Sequence, residues 1–185
     1  MHPRTFAALL LLSVVVAGCS GRDASSTTGT TGTTVPPPAT TLPEVPIEQG
    51  KQIYSYTPEV GDCYDRRKVP GANGATKQQD IVLKLDCGLA HQNEVFAIVE
   101  LPKPDPKPDP KESTFPSAED LRKFGKTECP KKYKDYVGKA YELSKLEIGY
   151  IFPVQETWPS NRKLACYVFD ASNRRLQGSV KGSGN

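Results

Sequence analysis

The sequence has few of the residues on which catalysis and metal binding usually depend. Its 185 residues contain two histidines, His2 and His91, with one tryptophan and one methionine. A hydrolase needs a nucleophile beside a base, and His91 is accompanied by no nucleophile motif, no Cys–His pattern and no recognisable frame of paired carboxylates. We therefore expect that the protein is not an enzyme. A cryptic hydrolase built from Asp62, Asp86 and His91 is the third of three functional hypotheses.

An excess of charge of one sign is also missing. The chain has 24 Lys and Arg against 21 Asp and Glu, a net charge of +3. A protein that binds nucleic acid needs a stronger basic patch with interleaved aromatic side chains. We therefore expect no nucleic-acid partner.

The apolar run at the N-terminus is too short to cross a membrane. Phe6 to Val16 is almost wholly apolar and follows the basic Arg4, which is typical of a signal peptide, whereas a bilayer span needs roughly 20 residues. The next residues, ending in Ala17-Gly18-Cys19, resemble the lipobox of bacterial lipoproteins. In that family the chain is cut before the cysteine, which then carries a diacylglycerol.

We therefore expect residues 1–18 to be a lipoprotein signal peptide and Cys19 to be lipidated, with acyl chains such as palmitate. Two or more acyl chains on one residue anchor a protein stably, whereas a single chain is marginal. The membrane would be a partner through this anchor, and the protein would lie on the extracytoplasmic face of the cell membrane. The alternative is an ordinary signal peptide followed by a chance cysteine.

The odd number of cysteines agrees with this interpretation. Of the five, lipidation of Cys19 leaves four, and an even number in an exported domain indicates disulfides. These four are Cys63, Cys87, Cys129 and Cys166. Their spacing alone allows three pairings. Because oxidised thiols cannot bind metal, Cys87 and His91 do not form a zinc site in this interpretation, and we expect neither a metal nor a cofactor.

Composition divides the mature chain into a tether and a domain. Residues 19–50 are rich in Ser, Thr, Gly and Pro, and such a segment buries too little apolar surface to offset its chain entropy. Residues 51–185 have the size of one domain, and they contain no internal repeat.

The folded part is predicted to be α+β. Apolar residues alternate in IVLKLDC, from Ile81 to Cys87, which predicts a strand. Glu94 to Leu101 predicts a central strand that forms a hairpin with the first. Further strands are expected at Ile148–Val154, Lys163–Phe169 and Leu176–Val180.

A helix is predicted from Pro116 to Gly138. Ser117 and Asp120 resemble a capping box, an apolar stripe follows at helical spacing, and Pro130 should kink or split the helix. The helix should pack on one face of a small antiparallel sheet. Before the helix, the prolines of residues 102–111 predict an extended loop. The alternative is that this segment is a ligand for a partner domain that binds proline-rich sequences.

Five segments of the domain resemble a known family. In chain order they are VGDCYD, LDCGLAHQNEVFAIVEL, FPSAEDLRKFGKTECPKKYKDYVG, PVQETWPSNRKLACYV and LQGSVKG. This series resembles the septum-formation domain of actinobacterial envelope proteins over roughly Val60 to Gly182. The residues that carry the resemblance are Gly61, Asp62, Cys63, Cys87, His91, Glu94, Cys129, Trp158 and Cys166. The chain departs from the family in its proline-rich loop and in Asn161, where a glycine turn is more usual.

The resemblance implies a non-enzymatic module outside the membrane with a link to cell division. It also implies the disulfides Cys63–Cys87 and Cys129–Cys166. We therefore expect a lipid-anchored interaction or scaffold module of the cell envelope, with envelope or division proteins as partners. The runner-up is a domain that binds lipid or wall glycan, and a pocket lined by Trp158 and tyrosines would favour it.

Six residues are candidates for binding a partner. They are His91, Glu94, Trp158, Lys131, Lys132 and Lys134. His91 can instead form a local hydrogen bond in a turn or pair with Glu94, and Trp158 can instead be a core anchor near Cys166. The lysines belong to a basic helix face that is either simply solvated or a docking surface for an anionic partner.

Overall fold

The computed structural model describes residues 42–71, 77–103 and 114–185. In these ranges the chain forms one six-stranded sheet, ordered β1-β3-β2-β4-β6-β5, and one α-helix, α1. The elements are β1 (Lys51–Ile53), β2 (Cys63–Pro70), β3 (Gln78–Leu85), β4 (Asn93–Glu100), α1 (Ala118–Val137), β5 (Leu146–Ile151) and β6 (Lys163–Asp170). The predicted signal peptide, Cys19 and most of the proline-rich loop lie outside the described residues.

The predicted α+β class is confirmed. All the strand pairs are antiparallel, and β3, β4, β5 and β6 lie close to the predicted strands. β4 is interior to the sheet, and a β-bulge between Val95 and Ala97 adds one residue to it. Phe96 and Ala97 consequently both join the core under the helix. Val95 and Ile98 pack in a separate cluster on the other face, which explains why this strand is apolar on both faces.

Two predictions about the strands are wrong. β3 and β4 do not form a hairpin, because β2 lies between them. β2 was not predicted because two of its buried positions hold the charged residues Asp65 and Arg67, so apolar and polar residues do not alternate along it. The segment Leu176–Val180 is not a strand either, since it makes only an isolated bridge from Leu176 to His91.

The sheet consists of two halves with a short junction. β2 pairs with β4 only at Cys63–Glu94 and Tyr64–Asn93. Beyond that point the strands are connected through side chains instead of the ladder. The backbone N–H of Gln92 donates to the Asp65 carboxylate, and the Gln92 side-chain oxygen accepts from the backbone N–H of Arg66. The few ladder bonds mean that other interactions must hold the halves together.

The helix ends where the sequence predicts, but it is not split. The Ser117 hydroxyl accepts from the backbone N–H of Asp120, and Gly138 ends the helix with φ of 87°, in the left-handed region, which glycine adopts at little cost. Pro130 lies inside the continuous helix. The C-terminal segment completes the helix end, because the N–H groups of Gly182 and Gly184 donate to its last free carbonyls.

The main core lies between the helix and the β4-β6-β5 half of the sheet. It contains buried Leu121, Tyr133 and Val137 from the helix, facing residues such as Leu164 and Val168 from β6. Gly125 allows the helix to approach β5, because a Cβ there would lie 2.7 Å from the ring of Tyr150.

The ordered domain begins before residue 51. Val45 is buried against Leu83 and Leu85 of β3, and its carbonyl accepts from Arg67. Part of the segment that the sequence assigns to the tether therefore packs against the domain. Segment 42–50 packs on the β2-β3 half of the sheet, through Val45 against Leu83 and Leu85, on the face that does not carry Val82.

Candidate functional site

His91 and Glu94 lie inside the protein. Neither side chain is exposed to solvent, because paired backbone hydrogen bonds hold His91 against Leu176. The expectation that these two residues contact a partner is therefore corrected. The alternative is confirmed instead: the Nδ1–H of His91 donates locally to the carbonyl of Leu89 at 2.8 Å.

Glu94 connects three parts of the chain that are distant in sequence. Its Oε1 accepts from the hydroxyl of Tyr136 on the helix at 2.8 Å and from that of Ser179 at 2.7 Å. Its Oε2 accepts from the backbone N–H of Val180 at 2.8 Å and lies 3.7 Å from Nε2 of His91. One carboxylate on β4 thus holds the helix and the C-terminal segment against the sheet.

The environment of Glu94 favours its charged form. Burial opposes ionisation, but the polar groups of His91, Ser179, Val180 and Tyr136 outweigh it, so the pKa of Glu94 lies below its usual value. Burial and the same carboxylate raise the pKa of Tyr136, which therefore remains a hydrogen-bond donor.

The four cysteines of the domain form the two disulfides that the resemblance implies, Cys63–Cys87 and Cys129–Cys166. The first joins Cys63, the first residue of β2, to the turn after β3, and the second joins the helix to β6. The Sγ atoms of Cys63 and Cys87 lie within 4.8 Å of each other and of a carboxylate oxygen of Glu94. Since both sulfurs are oxidised, this group does not offer thiolate ligands.

A second buried charged cluster was not predicted from the sequence. The carboxylate of Asp65, on β2, is fully buried and lies 2.7 Å from Arg67 and 2.7 Å from Arg175. Glu44 pairs with both arginines from the ordered N-terminal segment. Burial and the charge of Arg175 lower the pKa of Arg67. The signal for this cluster in the sequence is the run DRR, which begins two residues after the first cysteine of the domain and supplies Asp65 and Arg67.

The residues of the cryptic-hydrolase hypothesis have separate structural partners. Asp62 accepts from the hydroxyl of Tyr56 at 2.9 Å and pairs with Lys84 at 2.5 Å. Asp86 is exposed and accepts from the backbone N–H of Gly88, as a turn residue does. His91 makes its hydrogen bond to Leu89.

Trp158 packs against the main core rather than lining a groove. Its ring is partly buried and contacts Phe115 edge-to-face, with 5.8 Å between ring centroids. This arrangement confirms the alternative that Trp158 is a core anchor, since Cys166 belongs to the same core.

The three candidate lysines lie on the outer face of the helix. Lys131, Lys132 and Lys134 are all exposed. Lys131 pairs with Glu128 one turn earlier, at 2.6 Å, and exposed pairs of this kind contribute little stability. These side chains are accessible to a partner.

The sheet face opposite the helix carries a row of aromatic rings. Tyr56 and Tyr64 lie with 5.3 Å between ring centroids, and Tyr64 and Tyr167 with 6.0 Å. Tyr167 lies across Gly149 of β5, where an added Cβ would be 2.2 Å from its ring. The guanidinium of Arg66 lies over the Tyr167 ring, 5.7 Å from its centroid.

Beside this row the surface forms a concavity, which we name the tyrosine groove. It has a volume of about 430 Å³ and is lined by Tyr54, Tyr56, Tyr64, Arg66 and Asp80 with aliphatic side chains such as Val82 and Ile151. Tyr54 is 64% exposed. The signal for the groove in the sequence is YSY, two tyrosines separated by one residue directly after β1.

Fold and site define a disulfide-stabilised α+β domain with one sheet face covered by a helix and the other carrying an open aromatic groove. The chain belongs to the septum formation family, whose family model matches residues 60–184. This match confirms the resemblance inferred from the sequence. No curated protein and no solved structure matches the chain. Among the described residues, no helix has the length and apolar character that crossing a membrane requires.

Proposed function

We propose that the protein is a lipid-anchored, non-enzymatic interaction module on the extracytoplasmic face of the cell membrane and that it acts there in septum formation. The observation that carries the proposal is the complete pairing of the four domain cysteines. Disulfides of this kind persist in oxidising compartments, and their pairing leaves Cys19 as the one cysteine outside the bridges. The family match supports the role in septum formation.

Replacing the lipidated cysteine tests the anchor. We expect Cys19→Ser to move the protein from the membrane fraction to the soluble fraction and to abolish incorporation of an acyl label, because the stable anchor needs the acyl chains of this residue. Ser20→Ala is the matched control and should remain membrane-bound. Unchanged membrane retention of the Cys19 variant would refute the anchor.

The basic helix face is the surface that we assign to protein partners in this proposal. Reversing the charge at Lys131, Lys132 and Lys134 to Glu should lower crosslinking to division or cell-wall proteins in intact cells several-fold, since rim charges set association rates. The free energy of unfolding should change little, because exposed charges contribute little to stability. Reversal at exposed Lys77, Lys103 and Lys145 is the control, and an equal loss of crosslinking there would contradict a specific role for the helix.

The runner-up function, a ligand-binding domain, is favoured by the tyrosine groove. Trp158 is not part of that groove, so the expected combination of Trp158 with tyrosines is not formed. The tyrosines by themselves provide a concave aromatic surface with polar groups at its margins, which is a common character of ligand sites.

A further inference from the structure

We propose that the tyrosine groove binds an uncharged saccharide chain. The proposal adds a ligand class to the interaction module proposed above, and it depends on that function only for the cell-surface setting in which such a chain would be met. It depends otherwise on four features of the groove: its aromatic rings, an unpartnered buried hydroxyl, its balance of charge and its open shape.

The aromatic rings match the chemistry of sugars. The faces of a sugar ring carry C–H groups that stack on aromatic rings, while its edge carries hydroxyls that need hydrogen bonds. Tyrosine suits both needs because it combines an apolar ring with a polar tip. Tyr54 presents its ring to solvent at the mouth of the groove. Tyr56 is half-buried in the lining, and the buried ring of Tyr64 packs behind it.

A buried hydroxyl in the groove has no partner. The Tyr64 side chain has no exposure to solvent, and its Oη makes no hydrogen bond to any described residue. An unsatisfied buried hydroxyl is unfavourable, and burial raises the pKa of Tyr64, so the group remains a neutral donor. The neighbouring Arg66 is exposed and lines the same groove, so a ligand hydroxyl that accepts from its guanidinium would lie beside Tyr64.

The charges in the groove favour a ligand without net charge. Arg66 contributes one positive charge and Asp80 one negative charge to the lining. An anionic ligand would meet Asp80, and a cationic ligand would meet Arg66. A neutral polyhydroxylated ligand can instead hydrogen-bond to both, because a guanidinium only donates and a carboxylate only accepts.

The shape of the groove favours a chain over a compact small molecule or an acyl tail. Its volume of about 430 Å³ is typical of ligand sites, but it is open to solvent along one side. A second cavity of about 240 Å³ shares Tyr56 and Ile151 with it, so the depression continues along the sheet face. An acyl tail would be left partly in water in such an open groove, whereas successive sugar units tolerate that exposure.

A titration of the purified full chain tests the proposal. The probes are neutral oligosaccharides of glucose, mannose and N-acetylglucosamine, a proline-rich peptide, and phosphatidylglycerol vesicles. We expect at least one neutral oligosaccharide to bind and to shift the NMR signals of the Tyr54, Tyr56 and Tyr64 rings. We expect neither the peptide nor the vesicles to shift these signals.

Two variants and their controls locate the binding. Tyr54→Ala should weaken saccharide binding about tenfold, the upper range for loss of one aromatic contact. Leu143→Ala removes a side chain of similar exposure, 69%, outside the groove and should leave binding unchanged. Arg66→Ala should also weaken binding, whereas Arg122→Ala, at an exposed position on the helix, should not.

The remaining outcomes overturn the proposal. Binding of the peptide or the vesicles at these rings without saccharide binding would assign the groove to another ligand class. No saccharide binding, or binding that Tyr54→Ala leaves unchanged, would also refute it. Because the Cys19 experiment measures only membrane attachment, its result and the result of this titration are independent.

Discussion

Glu94→Ala is expected to lower the free energy of unfolding by about 3–5 kcal/mol, as removal of one partner from a buried charged network does. The substitution removes the common acceptor of Tyr136, Ser179 and Val180. It leaves their donors buried without partners and opens a cavity at the junction of the two sheet halves. Glu142→Ala, at an exposed position, is the control and should stay within about 0.5 kcal/mol of the parent protein.

The charge of Glu94 makes this contribution dependent on pH. Its folded-state pKa lies below the usual value of 4.5, so its stabilisation is fully present above the unfolded pKa and is lost as the pH falls through the folded pKa. For the parent protein, we expect the free energy of unfolding, measured in urea, to decrease as the pH is lowered from the unfolded-state pKa of Glu94 through its folded-state pKa. Glu94→Gln should be less stable near neutral pH and should lack this part of the decline. A parallel decline in Glu94→Gln would contradict the assignment.

The second large effect is expected at Asp65. Asp65→Ala should lower the free energy of unfolding by about 3–5 kcal/mol, because it removes the buried carboxylate that both Arg67 and Arg175 contact and leaves only the exposed Glu44 paired with them. The lowered pKa of Arg67 already reflects burial and repulsion by Arg175. Asp135→Ala, at an exposed helix position, is the matched control.

A double substitution separates loss of the carboxylate from general damage. If the arginines repel each other after Asp65 is removed, the double variant Asp65→Ala/Arg175→Ala should lose less free energy of unfolding than the two single variants lose together. Urea unfolding of all four proteins provides the comparison. Additive costs would show that Asp65 and Arg175 do not interact energetically, and the pairing seen at 2.7 Å would then not be a source of stability.

Prediction from the sequence succeeded where a local pattern has a single structural solution. The helix from residue 118 to 137 follows from its apolar stripe, the Ser117 cap and the Gly138 stop, which act within a few residues. The exposed lysines of that helix follow from the same periodicity. The disulfide pairing could not be derived from spacing, and it was implied only by the family resemblance.

Prediction failed where long-range contacts decide the structure. β2 lacks an alternating pattern of apolar residues because charged Asp65 and Arg67 occupy buried positions. Its position between β3 and β4 depends on pairing over long sequence distances. Residues 176–180 were predicted to be a strand, but they pack instead against His91 and Glu94. His91 and Glu94 were candidates for binding a partner, but both are buried, and the groups that make burial of the Glu94 charge favourable come from distant segments.

The amino-acid sequence by itself determined the helix, four of the strands and the parity of the cysteines, since these depend on periodicity, capping and counting within the chain. Only the tertiary structure decided which polar residues are buried and where the tyrosines of residues 54, 56 and 64 meet. The physical reason is that a buried carboxylate and an aromatic groove both require groups from separate segments, and the free energy that brings those segments together comes from the packing of the whole domain.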